Sequence, residues 1–212
     1  MIKTFRTIIV LWGSMFLVLL ICIIGGILFI SSTGSSDDKN SNDTTQNQLV
    51  DVNKFTRPGI TRKEIIDIAL SLVGKVGYWW GGTSGPGWNS EWGIPKLITA
   101  PGDWTTGTMQ PYGLDCSGFV DWTYKTAGYN GLPPPTGPQW NNTYEINESE
   151  LKPGDIVFEA TGNSSVNHVG IFYKRENGVK YYIHCQGGTG VVINSTRVFI
   201  YWRRPYIKFE DD

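Results

Sequence analysis

Gly113-Leu114-Asp115-Cys116-Ser117-Gly118-Phe119-Val120 places a cysteine at the start of a helix, and the chain holds only two histidines to serve it. Both lie downstream in short apolar runs that read as strands. These are Asn167-His168-Val169-Gly170-Ile171-Phe172-Tyr173 and Tyr181-Tyr182-Ile183-His184-Cys185. Sulfur attacks as the thiolate, so a nucleophilic cysteine needs local positive potential and an imidazole. Unpaired N–H groups at a helix start supply part of that potential and can also hold an oxyanion. Asp115 works the other way, and His168 as an imidazolium at contact distance is expected to outweigh it. A lone cysteine or a lone histidine reads more readily as core. The Asp-Cys-Ser-Gly context with two strand histidines turns the reading toward chemistry.

Outward from this stretch the pattern is α+β. Thr61-Arg62-Lys63-Glu64 is a capping box, and Ile65, Ile66, Ile68, Ala69, Leu72 and Val73 follow at helical spacing. After Tyr78-Trp79-Trp80-Gly81-Gly82 come about thirty residues rich in Gly, Pro, Trp and Thr, up to Tyr112. A loop of that length is functional or disordered, and Trp88, Trp92 and Trp104 make it either a lid, a glycan-contacting wall or a self-packed surface loop. The second helix runs from about Asp115 to Ala127, with Gly128 as its stop. Gly131–Pro138 reads as a Pro-rich connector. Beyond the turn Leu151-Lys152-Pro153-Gly154-Asp155, strands are expected at Ile156–Ala160, His168–Lys174, Lys180–Gln186, Val191–Asn194 and Arg197–Trp202. Helices first and strands afterwards predict N-terminal helices packed on a central antiparallel sheet.

The hairpin between the histidine strands is decisive. A three-residue Glu176-Asn177-Gly178 loop would pair Gly170 with His184, setting both histidines on one face within side-chain reach. A two-residue Asn177-Gly178 turn would pair Ile171 with His184 and separate them. The catalytic reading asks for the three-residue loop. By alternation, Cys185 then faces away from His184 as a small buried hydrophobe, which disfavours a Cys116–Cys185 disulfide.

The N-terminal part is of another kind. Residues 8–30 are almost unbroken apolar, long enough for a bilayer span, with Lys3 and Arg6 before them. That charge keeps the short N-terminus cytoplasmic and exports the rest. A cleaved signal is the competing reading. Residues 31–54 are a polar tether, and 55–212 form one domain. The net charge of −1 gives nothing that would attract nucleic acid. The Cys and His positions lack zinc spacing, so neither a metal nor another cofactor is expected.

In order along the chain, the opening helix, Tyr78-Trp79-Trp80-Gly81-Gly82, Leu114-Asp115-Cys116-Ser117-Gly118-Phe119-Val120, Leu151-Lys152-Pro153-Gly154-Asp155-Ile156-Val157-Phe158, His168-Val169-Gly170-Ile171-Phe172 and Ile183-His184 resemble the NlpC family of papain-like cysteine peptidases. The resemblance covers roughly Arg62 to Trp202. It implies a papain-like, NlpC-type domain that cuts bacterial cell-wall stem peptides, with Cys116 as nucleophile, His168 as general base and acid, and His184 orienting His168. It also implies that Tyr78, Asp115 and Ser117 line a pocket for the free amino end of the peptide, and that the bond cut joins D-γ-glutamate to a diamino acid. With the anchor, it suggests a place on the outer face of the membrane of a Gram-positive cell; a monomer is assumed, the oligomeric state being open. An amidase using the same triad, a non-catalytic wall-binding module and a lipid-acyl enzyme are the competing readings. The long stretch between Gly82 and Asp115 departs from the family pattern.

Overall fold

The computed structural model describes residues 59–161 and 165–212. The expected anchor at 1–30, the tether at 31–54 and residues 55–58 lie outside the described residues. Among the described residues no helix is long and apolar enough to cross a membrane.

Helix α1 spans Arg62–Ser71, and the Oγ1 of Thr61 accepts the Glu64 N–H at 3.0 Å, as the capping motif predicts. The long connection that follows holds a small antiparallel hairpin, β1 (Pro95–Leu97) and β2 (Met109–Pro111). Helix α2 spans Cys116–Thr126, and the positive φ of Gly128 ends it. It lies so deep that Phe119, Val120, Trp122 and Tyr124 are all buried. Its first turn crosses the 77–82 segment at backbone contact. A Cβ on Gly118 would sit 1.9 Å from the Gly82 carbonyl oxygen, so only glycine fits there. Leu114 N–H donates to Gly77 O, Trp79 N–H to Leu114 O and Asp115 N–H to Gly82 O. The two glycine-bounded motifs of the sequence are thus one structural unit that fixes the helix start.

The connector expected at Gly131–Pro138 differs in its second half, where helix α3 spans Thr136–Asn141. Pro138 falls in the first turn, whose N–H groups have no helical acceptor, so its missing N–H costs nothing. Strands β3 (Thr143–Glu145), β4 (Ile156–Thr161), β5 (Ser165–Glu176), β6 (Val179–Gln186), β7 (Gly190–Asn194) and β8 (Tyr201–Pro205) form one antiparallel sheet in the order β3-β8-β4-β5-β6-β7. The last strand was expected at Arg197–Trp202. Instead residues 195–200 make a loop whose Phe199 turns inward, and pairing with β4 begins at Tyr201.

Helices α1 and α2 cover one face of the sheet, sharing the main core with Ile156, Phe158, Val169, Ile171, Ile183 and Cys185. Val157, Phe172, Tyr182 and Phe199 form a smaller cluster on the other face. The turn at 151–155 is a structural clasp. Its buried Asp155 accepts from Arg62 at 3.0 Å and from Arg204 at 2.8 Å, tying α1 and β8 to the entry of β4. Removing one partner of such a buried pair typically costs about 3–5 kcal/mol.

Candidate active site

The hairpin loop is not the expected one. Glu176 pairs with Val179, leaving the two-residue turn Asn177-Gly178 with φ of 51° and 79°. That loop alone would have parted the histidines. The register then shifts by one between Phe172 and Lys174, so Tyr173 forms a bulge and Ile171 pairs with Ile183. The bulge undoes the effect of the short loop. It places Gly170 opposite His184 and both histidines on one face. A second register shift lies at Asn167, directly before His168. Gly170 makes room for the arrangement: a Cβ there would lie 3.0 Å from the His184 Cβ and 3.1 Å from the Phe199 ring.

The result is a short polar chain. His168 Nε2 lies 2.9 Å from His184 Nδ1, and His184 Nε2 lies 2.8 Å from Asn194 Nδ2. Phe199 stacks on His168 at 5.8 Å and meets His184 edge-on at 5.7 Å, shielding both rings from water. Asn194 escaped the sequence reading, because nothing in Val191–Asn194 signals that its amide would reach across from β7. Its role follows from donor counting. With Nδ2 donating to His184 Nε2, the His184 proton sits on Nδ1 and is given to His168 Nε2. A half-turn of the amide makes Asn194 the acceptor and reverses every proton in the chain, leaving the Nδ1 lone pair of His168 open. The Arg197 N–H meets Asn194 Oδ1 only at 3.4 Å, too long to fix the amide, and the hydrogen bond of Asn194 raises the His184 imidazole, as an acceptor does, so the second orientation is the one that proton transfer to His168 requires.

Cys116 is the first residue of α2 and 8% exposed, with Asp115 as N-cap. Backbone groups of the helix start and of Val169, the residue after His168, act on its thiol against the burial. The strand segment that carries the base candidate therefore lies beside the nucleophile candidate. Both Cys116 and Cys185 are free thiols, and Cys185 faces the helices while His184 faces Phe199, as alternation predicts.

Burial decides the charge. It pushes the Cys116 thiol up to about 12, with the Asp115 carboxylate adding to the effect. It pushes His168 down to about 3 and His184 to about 4, and the Arg197 guanidinium lowers both further. The expectation of a standing imidazolium at His168 is corrected on this point. Neither group ionises alone near neutral pH, so charge here arises as a pair, when the thiol proton moves to His168.

A groove of about 570 Å³ opens beside His168 and Tyr78. Arg197 and the β6–β7 turn form one side of it, and the 83–112 insertion forms the other. Of the three residues assigned to the amino-end pocket, Tyr78 lines this groove. Asp115 Oδ1 is spent on the Gly118 N–H at 2.6 Å and the Ser117 hydroxyl at 2.8 Å, and Ser117 is buried. Tyr78 still feels the charge of Asp115, and burial raises its phenol. Among the described residues no three His, Cys, Asp or Glu side chains gather as a metal site would.

A cysteine at a buried helix start, with two histidines on adjoining antiparallel strands, is an arrangement suited to a thiol nucleophile. The model of the NlpC/P60 family matches residues 75–210, and the chain belongs to that family. It is 38% identical over 96 residues to the probable endopeptidase p60 of Listeria monocytogenes, covering 42% of this chain and 19% of that protein. It is 33% identical over 94 residues to the murein DD-endopeptidase MepS/murein LD-carboxypeptidase of Escherichia coli, covering 44% of this chain and 47% of that one. Among solved structures, an NlpC/P60 family protein from Bacillus cereus superposes with a TM-score of 0.51 at 25% identity, covering 71% of this chain and 42% of that one. The chain thus spans less than half the length of these curated relatives.

Proposed function

We propose that the chain is a peptidoglycan hydrolase, a thiol endopeptidase that cuts stem peptides through Cys116, His168 and His184. The observation that carries this reading is the 2.9 Å contact of His168 Nε2 with His184 Nδ1, on a strand whose Val169 backbone acts on the thiol of Cys116 at the buried start of α2. The Cys116 thiol gives its proton to His168 Nδ1 as sulfur attacks the amide carbonyl. N–H groups at the start of α2 hold the oxyanion. The C–N bond breaks, His168 returns the proton to the departing amine, and a thioester remains. Water then adds with His168 as base, releasing the acid and restoring the thiol. His184 keeps the His168 ring in place and accepts its Nε2–H while the charge is present.

We assign the amino-terminal end of the stem peptide to the corner formed by Tyr78, Asp115 and Ser117. The scissile bond is then the one between D-γ-glutamate and the diamino acid. Residues 8–30 anchor the protein in the cell membrane, residues 31–54 tether it, and the catalytic domain acts outside. Support for the anchor is the apolar run preceded by Lys3 and Arg6.

Digestion of defined wall fragments with the chain and with Cys116→Ala, followed by mass measurement, tests the reading. The expected product is a Cys116-dependent cut after γ-glutamate. A cut at the muramoyl amide would make the protein an amidase. No thiol-dependent product would leave a wall-binding module.

A further inference from the structure

The insertion at 83–112 divides into two parts that behave differently. Its first part packs on the domain: Trp88 meets Trp92 edge-on at 5.1 Å, and Trp92 meets the buried Trp122 at 5.6 Å. Its second part carries Trp104 on the groove wall, 86% exposed. A large indole left in water at that level gains nothing for folding.

Nor is Trp104 the tip of a slack loop. Asp103 Oδ1 accepts from both the N–H and the hydroxyl of Thr105, at 2.8 and 2.5 Å. Gly107 N–H donates to Ile98 O at 2.8 Å, and the Trp80 indole N–H donates to Pro101 O at 2.9 Å. The loop is closed on itself and pinned to the 77–82 segment, which also fixes the start of α2. Such a frame holds an aromatic face out at low ordering cost on binding. Asp103 is close enough for its charge to act on Tyr78, so Trp104 adjoins the corner assigned to the amino-terminal end of the substrate. Asp103, Thr105 and Gln110 bring hydrogen-bonding groups to the same wall.

An indole ring flanked by hydroxyl, amide and carboxylate groups matches one ligand chemistry on a wall fragment, a pyranose ring. The C–H face of the sugar is the complement of the electron-rich aromatic face, and its edge hydroxyls need polar partners. We propose that Trp104 is a saccharide platform, and that the preferred substrate is a stem peptide whose amino end still carries its sugar. The resemblance to NlpC peptidases pointed to a free amino end. This inference rests on the proposed peptidase reading and specifies its substrate.

The test compares kcat/KM of the full chain on two substrates, a stem peptide joined to its disaccharide and the same peptide without sugar. The sugar-bearing substrate is expected to be better by about tenfold, the size of one well-formed aromatic contact. In Trp104→Ala that ratio falls toward one, and in Trp104→Phe most of it returns. A ratio near or below one in the unaltered chain, or an unchanged ratio in Trp104→Ala, overturns the proposal. If neither substrate is cut, the peptidase reading fails, and titration of Cys116→Ala with the two fragments decides the inference alone. Tighter binding of the sugar-bearing fragment that is lost on Trp104→Ala sustains it, and equal binding sinks it.

Discussion

The two described cysteines share almost everything except polarity. Cys116 and Cys185 are both free, both buried and both pushed upward by burial, with the Asp115 carboxylate adding to each shift. What surrounds the sulfur differs. Around Cys116 the backbone of the α2 start and of Val169 lowers the thiol against its burial. Around Cys185 stand acceptors: its thiol donates to the Leu114 carbonyl at 3.1 Å and more weakly to that of Gly77 at 4.0 Å. A sulfur whose backbone surroundings favour negative charge can hold it once a proton acceptor adjoins. A sulfur facing carbonyl oxygens is held as the thiol. Equal burial therefore yields a nucleophile in one place and a piece of core in the other.

The largest expected effect separates the two directly. Cys116→Ala should lower turnover of wall peptides by about 10⁴-fold or more, since triad members fail as a unit. Cys185→Ala should leave turnover within a few-fold and cost roughly 1 kcal/mol of stability through lost packing. Steady-state assays and denaturant melts on both variants check this, and a thiol-directed alkylating probe should label position 116 in preference to 185. Labelling at 185 with equal speed would break the contrast.

Next in size is the support behind the nucleophile. His184→Ala removes the group that receives the His168 Nε2–H and should cost roughly 10²- to 10³-fold in kcat. Gly170→Ala tests the same contact more gently. The added methyl would press on the His184 Cβ and on Phe199 and should lower kcat about tenfold by displacing the ring. Full activity in Gly170→Ala with an unmoved melting point would show that the rings tolerate a shift.

Asn194 gives a smaller effect that sharpens the donor argument. Only an acceptor at this position leaves the His168 Nδ1 lone pair open to the Cys116 proton. Asn194→Leu should therefore lose about tenfold in kcat. Asn194→Asp, which can only accept, should keep most of the rate and move the acid limb of the kcat–pH profile upward. Equal losses in both variants, with no movement of the limb, would reduce Asn194 to a packing role.

Much of this site was readable before any coordinates. The start of α2 announces itself because a cap, a cysteine and a glycine needed for close approach are contiguous. The faces of His184 and Cys185 follow from strand alternation alone. At the hairpin two signals conflict. Asn177-Gly178 is the strongest local signal for a two-residue turn, while only a three-residue loop in regular register aligns the histidines. The chain uses the strong turn and corrects the register with a bulge at Tyr173, a feature set by packing across the sheet with no local signature. The β1–β2 hairpin is hidden because three-residue strands, one opening on Pro95 and the other closing on Pro111, show no period. Phe199 reaches the histidines only through the loop at 195–200, whose path depends on tertiary contacts that no window of sequence contains, and Asn194 meets His184 as a diagonal neighbour whose register is set by the β6–β7 pairing.

The smallest expected effect is one in which the two thiols should behave alike. Each has a folded value raised above the ordinary 9.0, Cys116 to about 12 and Cys185 well upward. Below pH 9 folded and unfolded chains both carry neutral thiols, and the stability is fully present. Above pH 9 the unfolded chain ionises first, so stability is lost as pH rises toward the folded values, at about 1.4 kcal/mol per pH unit for each thiol. Buried tyrosines contribute to the same alkaline loss, so the comparison must be between variants. Denaturant melts from pH 8 to 10.5 should show Cys116→Ala and Cys185→Ala each flattening the slope by one thiol. If Cys185→Ala flattens it and Cys116→Ala does not, the backbone groups around Cys116 already offset its burial in the resting protein. Ionisation would then precede substrate, and the neutral resting pair described for the site would be wrong.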